Sequence, residues 1–274
     1  TLAQGLSLRG HKVLVIDTDP QGSLTELFGI KPSSVDVSET VLPLYQGEEE
    51  TLDYAVRPTY WDGIDIVKSF PMVFDAEFSL PGQQMQNPKF EFWSVLDGGL
   101  DNLRNQYDVI VIDTPPSLSY SAINALMAAN ILVVPIPPSL LDFASSAQFW
   151  RLYLDFAEPI RKARGVEKSY DFINVLMTRV DNQESMSAEV RRWIMNGYGD
   201  GVLPIEIPKT SIASTASSQF GTVYDVSESL SGSKTWKRAY DAYERFVELM
   251  EEQIVSTWAH KAEAAKALAK WSKK

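Results

Sequence analysis

Residues 10–25 read GHKVLVIDTDPQGSLT. Positions 12–17 form a short apolar, β-branched run closed by a carboxylate, the pattern of a strand buried on both faces of a parallel sheet. Asp17 and Asp19 stand two apart at the end of that run, so both can point into one polar cleft. In such a cleft Asp19 can orient or deprotonate a water, and Asp17 can hold a hydrated magnesium ion. A strand-ending turn built on Asx hydrogen bonding accounts for Asp-Thr-Asp-Pro equally well.

Further along, the same kind of run recurs among helical segments. Residues 1–8 read as the tail of a helix ended by Arg9-Gly10-His11, and 19–29 as a turn with a short helix. The stretch 33–57 reads as loop with a weak helix, 64–68 as a strand, and 79–89, with two prolines and several glutamines, as an irregular excursion. Residues 92–106 read as helical. A buried strand is expected at 107–113 (YDVIVID), a helix at 121–129, a buried strand at 131–136 (ILVVPI) and an amphipathic helix at 141–162. Strands at 171–177 and 202–207 flank a helix at 184–196. Trp236, Tyr240, Tyr243, Val247, Met250, Ile254 and Trp258 recur at spacings of three and four, one apolar stripe on a long helix that packs on the sheet. The Ala/Lys-rich tail after His260 is expected to be exposed. Strands alternating with helices define an α/β protein with a doubly wound, mostly parallel sheet. Ligands of such sheets sit at the carboxyl ends of the strands, where Asp17 and Asp113 fall.

Composition narrows the chemistry. The chain has 274 residues, no cysteine and two histidines, which excludes disulfides, thiolate metal sites and cysteine-ligated clusters and argues against a histidine zinc site. No apolar run is long enough to span a bilayer and no signal pattern opens the chain. These features fit a cytosolic protein. Net charge is −11, but from Ser231 to the end there are nine Lys/Arg against six Asp/Glu, a basic end on an acidic body. Such an end suits DNA or an anionic membrane, or is simply a solvated helix face.

Three segments carry a family resemblance. GHKVLVIDTDPQGSLT resembles the strand and switch region of the ParA/MinD group of deviant Walker ATPases. YDVIVIDTPPSLSYSAINAL, residues 107–126, resembles its Walker B strand and following helix. VLPIEIPKTSIASTASSQFGTVYD, residues 202–225, resembles its late strand, prolyl turn and small-residue segment. The three lie in family order, and D-x-D-P-Q favours the ParA branch. The resemblance implies a SIMIBI-like P-loop NTPase fold, with residues 1–274 as a single domain and 235–274 as its C-terminal helix and basic tail. It implies ATP and Mg2+ as cofactors. Asp19 then corresponds to the carboxylate of hydrolysis, and Asp17 and Asp113 to the magnesium-associated pair. Thr114 and Pro115 correspond to the γ-phosphate switch, and Thr178, Arg179 and Pro208 to the surroundings of the adenine. The expected function is partitioning of plasmid or chromosomal DNA by an ATP-bound homodimer. That dimer binds nonspecific DNA and is stimulated by a ParB-like partner, in the cytoplasm at the nucleoid, with no stable membrane association.

The sequence also departs from the pattern. The phosphate-loop motif K-G-G-x-x-K-T does not occur in the 274 residues. The resemblance places it, with its strand, ahead of the helix that ends near Leu8, and implies an interior strand whose absence leaves two sheet edges unpaired. The segment 210–218 carries no basic residue, so DNA contact falls to Arg161, Lys162, Arg164 and Lys168, to Arg191 and Arg192, or to Lys234, Lys237 and Arg238. Two other readings remain at this point. One is a MinD-like membrane-surface ATPase, for which the tail offers little apolar area (Leu268 and Trp271). The other is a relative that keeps the fold without nucleotide.

Overall fold

The computed structural model describes residues 1–165, 168–181, 185–210, 221–225 and 233–271. The small-residue segment 211–218 and residues 272–274 of the tail therefore lie outside the described residues, as do the side chains of Arg164, Leu268 and Trp271.

In chain order the elements begin with α1 (Leu2–Leu8), β1 (Val13–Asp17), α2 (Ser23–Leu27), α3 (Leu42–Gln46), β2 (Arg57–Pro58) and β3 (Ile64–Val67). They continue with α4 (Ala76–Gln86), α5 (Val95–Gly99), β4 (Val109–Asp113), α6 (Tyr120–Ala128) and β5 (Ile131–Ile136). The last are α7 (Leu140–Arg164), β6 (Phe172–Val180), α8 (Ser185–Tyr198), β7 (Val202–Pro208) and α9 (Lys234–Trp271).

The strands form two sheets, ordered β2-β3-β1-β4 and β5-β6-β7. Every pairing is parallel except the two-residue β2 against β3. Because side chains alternate along a strand, β1 feeds two cores. Leu14 and Ile16 enter a cluster with α3, α4, α5 and α6, while Val13 and Val15 enter another with α1 and α9. The second cluster also takes in Leu176, Leu203 and Ile207, so it joins both sheets. Helices thus cover both faces, the doubly wound arrangement expected. The α9 stripe does pack on the sheet: Val247, Met250 and Ile254 are buried in the shared cluster.

Several expectations are corrected. Residues 79–89 are not irregular, since α4 runs through Pro81. A mid-helix proline forfeits a backbone hydrogen bond and costs about 3 kcal/mol. Here burial of Ala76 and Leu80 offsets that cost, and the Gln83 amide donates to the Tyr45 carbonyl. Residues 92–106 hold only a 3-10 turn and the five-residue α5, because Gly98 and Gly99 end the helix. The segment after His260, expected to be exposed, is exposed over residues 261–263 and continues as helix to Trp271. Finally, β4 and β5 are not fully buried. Among the described residues each is an edge strand, in keeping with the two unpaired sheet edges expected, with four of five residues half-buried in β4 and three of six in β5, whereas all five residues of β1 are buried.

Candidate functional site

Asp17 and Asp113 are register partners at the ends of β1 and β4. Paired residues of neighbouring parallel strands project to the same face, so the two carboxylates leave the sheet side by side. The strand tips are also cross-linked. The Thr18 amide and hydroxyl both donate to the Asp113 carbonyl, at 3.0 and 2.7 Å. The Ser121 hydroxyl of α6 donates to the Thr18 carbonyl at 3.3 Å.

The two carboxylates live in different surroundings. Asp17 is 0% exposed. Its Oδ2 accepts from the Thr25 amide and hydroxyl at 2.8 and 2.7 Å, and its Oδ1 from the Asp19 amide at 3.2 Å. Burial pushes its pKa up against the pull of those donors, and Asp19 adds repulsion. Asp113 ends an edge strand and opens to solvent on one side. The protein packed around the rest of it, with repulsion from Asp17 and then Asp19, pushes its pKa up to about 7. A cation beside Asp113 would relieve that repulsion.

Asp19 stands half-buried at the head of the turn Asp19–Gly22. Its Oδ1 accepts from the Gln21 amide at 2.9 Å, and its carbonyl accepts from the Gly22 amide at 2.9 Å. Pro20 presets the first central position of this turn. Gly22 must be glycine: its φ is +66°, and a Cβ there would lie 3.0 Å from the Ser69 carbonyl oxygen.

Thr114 is exposed and Pro115 half-buried in the turn leaving β4. That turn leads into α6, whose first amides are already taken. Ser119 Oγ accepts from the Ala122 amide, and Glu77 of α4 accepts from the Tyr120 and Ser121 amides at 2.9 and 3.1 Å. Glu77 and Ser69 carried no signal in the sequence, because each acts on residues distant along the chain, whereas Thr25 stands only eight residues from Asp17.

The structure brings Thr178, Arg179 and Pro208 together, in the second sheet and apart from the aspartates. Met177 pairs with Glu206 and Val180 with Pro208, so β6 carries an extra residue there. Arg179 in that bulge has φ +53°, a left-handed conformation rare for arginine. The preceding shift, between Val175 and Met177, leaves Pro204 of β7 out of the ladder, which suits a residue with no amide hydrogen.

Among the described residues no group of three His, Cys, Asp or Glu side chains is placed to hold a metal ion, so Asp17, Asp19 and Asp113 do not form a closed cage. No helix among them is long and apolar enough to cross a membrane. Arg161 and Lys162 pair with Glu158, Arg191 pairs with Glu206, and Lys168 donates to the Met127 carbonyl. Lys234, Lys237 and Arg238 are exposed on the first turns of α9.

In a parallel, doubly wound sheet, ligands bind at the carboxyl ends of the strands, where these paired aspartates stand. Residues 1–164 match the AAA domain family. The chain belongs to this family, as a member of its ParA type. It is 29% identical over 265 residues to a putative replication protein A of Sinorhizobium fredii, covering 95% of this chain and 65% of that protein. It is 28% identical over 218 residues to the chromosome partitioning protein ParA of Caulobacter vibrioides, covering 79% of this chain and 76% of that one. The chain thus spans slightly less than two thirds of the replication protein's length. Its fold is similar to that of cobyrinic acid a,c-diamide synthase from Mycobacterium smegmatis, solved with an ATP analogue and magnesium. The TM-score is 0.69 at 24% identity, over 93% of this chain and 88% of that one.

Proposed function

We propose that this chain is the ATPase body of a DNA-partitioning protein. It uses ATP and Mg2+, dimerises on ATP, binds nonspecific DNA and is discharged by a ParB-like partner in the cytoplasm at the nucleoid. The observation that carries this reading is the register pairing of Asp17 with Asp113, with Asp19 on a cross-linked turn beside them, in a chain of the ParA type.

Each residue then has a role. Asp19 orients or deprotonates the attacking water. Asp113, open and repelled by its neighbours, is the carboxylate suited to a hydrated magnesium ion, which when bound offsets phosphate charge. Thr114 and Pro115, between that strand tip and α6, respond to the terminal phosphate. Thr178, Arg179 and Pro208 border the base, on a bulge whose strained backbone aims side chains out of the ladder. The reading also needs a phosphate-binding loop, whose backbone amides and lysine would balance the aspartates. A strand carrying that loop would fit between β4 and β5, which are two of the sheet-edge strands among the described residues. DNA phosphates fall to Lys234, Lys237 and Arg238, a basic cluster exposed on the first turns of α9.

The test is ATP turnover by the longer chain that includes such a loop. Asp19→Ala is expected to lower turnover by about 10²-fold or more while ATP binding persists. Undiminished turnover would exclude Asp19 from the hydrolytic step. Lys234→Ala with Lys237→Ala is expected to weaken DNA binding equally across sequences and to flatten its salt dependence.

A further inference from the structure

The family pattern treats Asp17 and Asp113 as one magnesium-associated pair, but the hydrogen bonds around Asp17 form a closed ring. Asp17 Oδ2 accepts the Thr25 hydroxyl at 2.7 Å, and Thr25 Oγ1 accepts the Ser69 amide at 2.9 Å. The Ser69 hydroxyl donates to the Asp19 carbonyl at 2.6 Å, and the Asp19 amide returns to Asp17 Oδ1 at 3.2 Å. Asp17, Thr25 and Ser69 are each 0% exposed. The ring joins the tip of β1, the helix α2 and the residue just beyond β3, and it grips Asp19 by both its amide and its carbonyl. The Asp19 side chain, which accepts from the Gln21 amide, lies outside the ring.

A carboxylate has about four lone-pair sites on its two oxygens. Three of those on Asp17 are filled by protein donors, and nothing of the residue faces solvent. A cation could reach it only by opening the ring and unseating α2. The residue does not fit the ligand role.

We propose that Asp17 is a positioning residue that, with Thr25 and Ser69, fixes the backbone of Asp19, and that it does not hold the cation. This rests on the reading of Asp19 as the hydrolytic carboxylate, and its test separates the two ideas.

The ring itself is tested by thermal unfolding of Asp17→Asn, Thr25→Val and the double variant. Each single change is expected to lower the midpoint by several degrees, and the pair to lose clearly less than the sum, because either one opens the ring. Fully additive losses would overturn the ring. The role of Asp17 toward metal is tested by titrating the protein with Mn2+ and following water-proton relaxation. Asp17→Asn is expected to bind Mn2+ within about twofold of the unsubstituted chain, and Asp113→Asn about tenfold more weakly. Equal weakening by both, with the Asp17→Asn fold intact, would overturn the proposal. The positioning role is tested in ATP turnover. Thr25→Val is expected to lower kcat with KM for ATP within about twofold, and Thr25→Ser, which restores the hydroxyl, to recover it. If Thr25→Val leaves kcat unchanged, Asp19 is not positioned through this ring. If the unsubstituted longer chain hydrolyses no ATP, the functional reading fails, and the unfolding cycle still decides for or against the ring.

Discussion

Val13–Pro20 and Val109–Pro116 read VLVIDTDP and VIVIDTPP, six identities in eight residues. Both form a five-residue parallel strand ending in aspartate, and the two strands pair residue for residue. Their surroundings differ throughout. Among the described residues β1 lies between β3 and β4 and is buried end to end, while β4 has one bonded neighbour, is half-buried and ends in an exposed Asp113. The first aspartate is enclosed by hydrogen bonds, and the second is open and repelled by its neighbours. Local sequence therefore determines the strand and the carboxylate at its tip. The hydrogen-bond partners around it determine what that carboxylate can do.

Identical substitutions in the two segments sharpen this contrast. Val15→Ala removes fully buried methyls and is expected to cost about 2 kcal/mol. Val111→Ala, on the half-buried strand, is expected to cost about half as much by the same bookkeeping. Urea unfolding of both variants measures the ratio, and equal losses would mean that β4 is as enclosed as β1. Thr18→Val strips the hydroxyl that bonds the Asp113 carbonyl and is expected to cost about 1–1.5 kcal/mol. Thr114→Val, at the matching exposed position, is expected to stay within about 0.5 kcal/mol.

A further effect depends on pH. The carboxyl of Asp113 titrates near 4 in the unfolded chain and at about 7 in the folded one, so the folded state binds the extra proton between those values. Stability from this group is full below pH 4 and is lost as pH rises to 7. Asp113→Asn is therefore expected to leave stability unchanged near pH 4. At pH 8 it should raise stability by about 1 kcal/mol, a figure reduced for solvent screening of an exposed group. A gain of the same size at both pH values would break the link to titration.

Much of the first sheet could be read from residues. The apolar runs ending in aspartate placed β1 and β4, and Pro20 and Gly22 placed the turn carrying Asp19. What stayed hidden depended on partners far along the chain. Thr25 and Ser69 are ordinary hydroxyl residues until α2 and the residue after β3 bring them to Asp17. Glu77 stands in the first turn of α4, just ahead of the stretch 79–89 whose Pro81 and glutamines argue against a helix, and burial of Ala76 and Leu80 offsets the cost of that proline. The left-handed backbone of Arg179 follows from a register shift between β6 and β7, which no local pattern announces. The half-burial of β4, by contrast, is in keeping with the two unpaired sheet edges that the family resemblance implied.

The claim that the two strand tips do different work is tested most directly by thermal unfolding of Asp17→Ala and Asp113→Ala side by side at pH 8. Loss of Asp17 strands the Thr25 amide, the Thr25 hydroxyl and the Asp19 amide without their acceptor, at about 3 kcal/mol in total. Loss of Asp113 removes a repelled charge. The account predicts shifts of opposite sign, a midpoint lowered by Asp17→Ala and raised by Asp113→Ala. Shifts of the same sign, or an Asp17→Ala protein as stable as the unsubstituted chain, would contradict it.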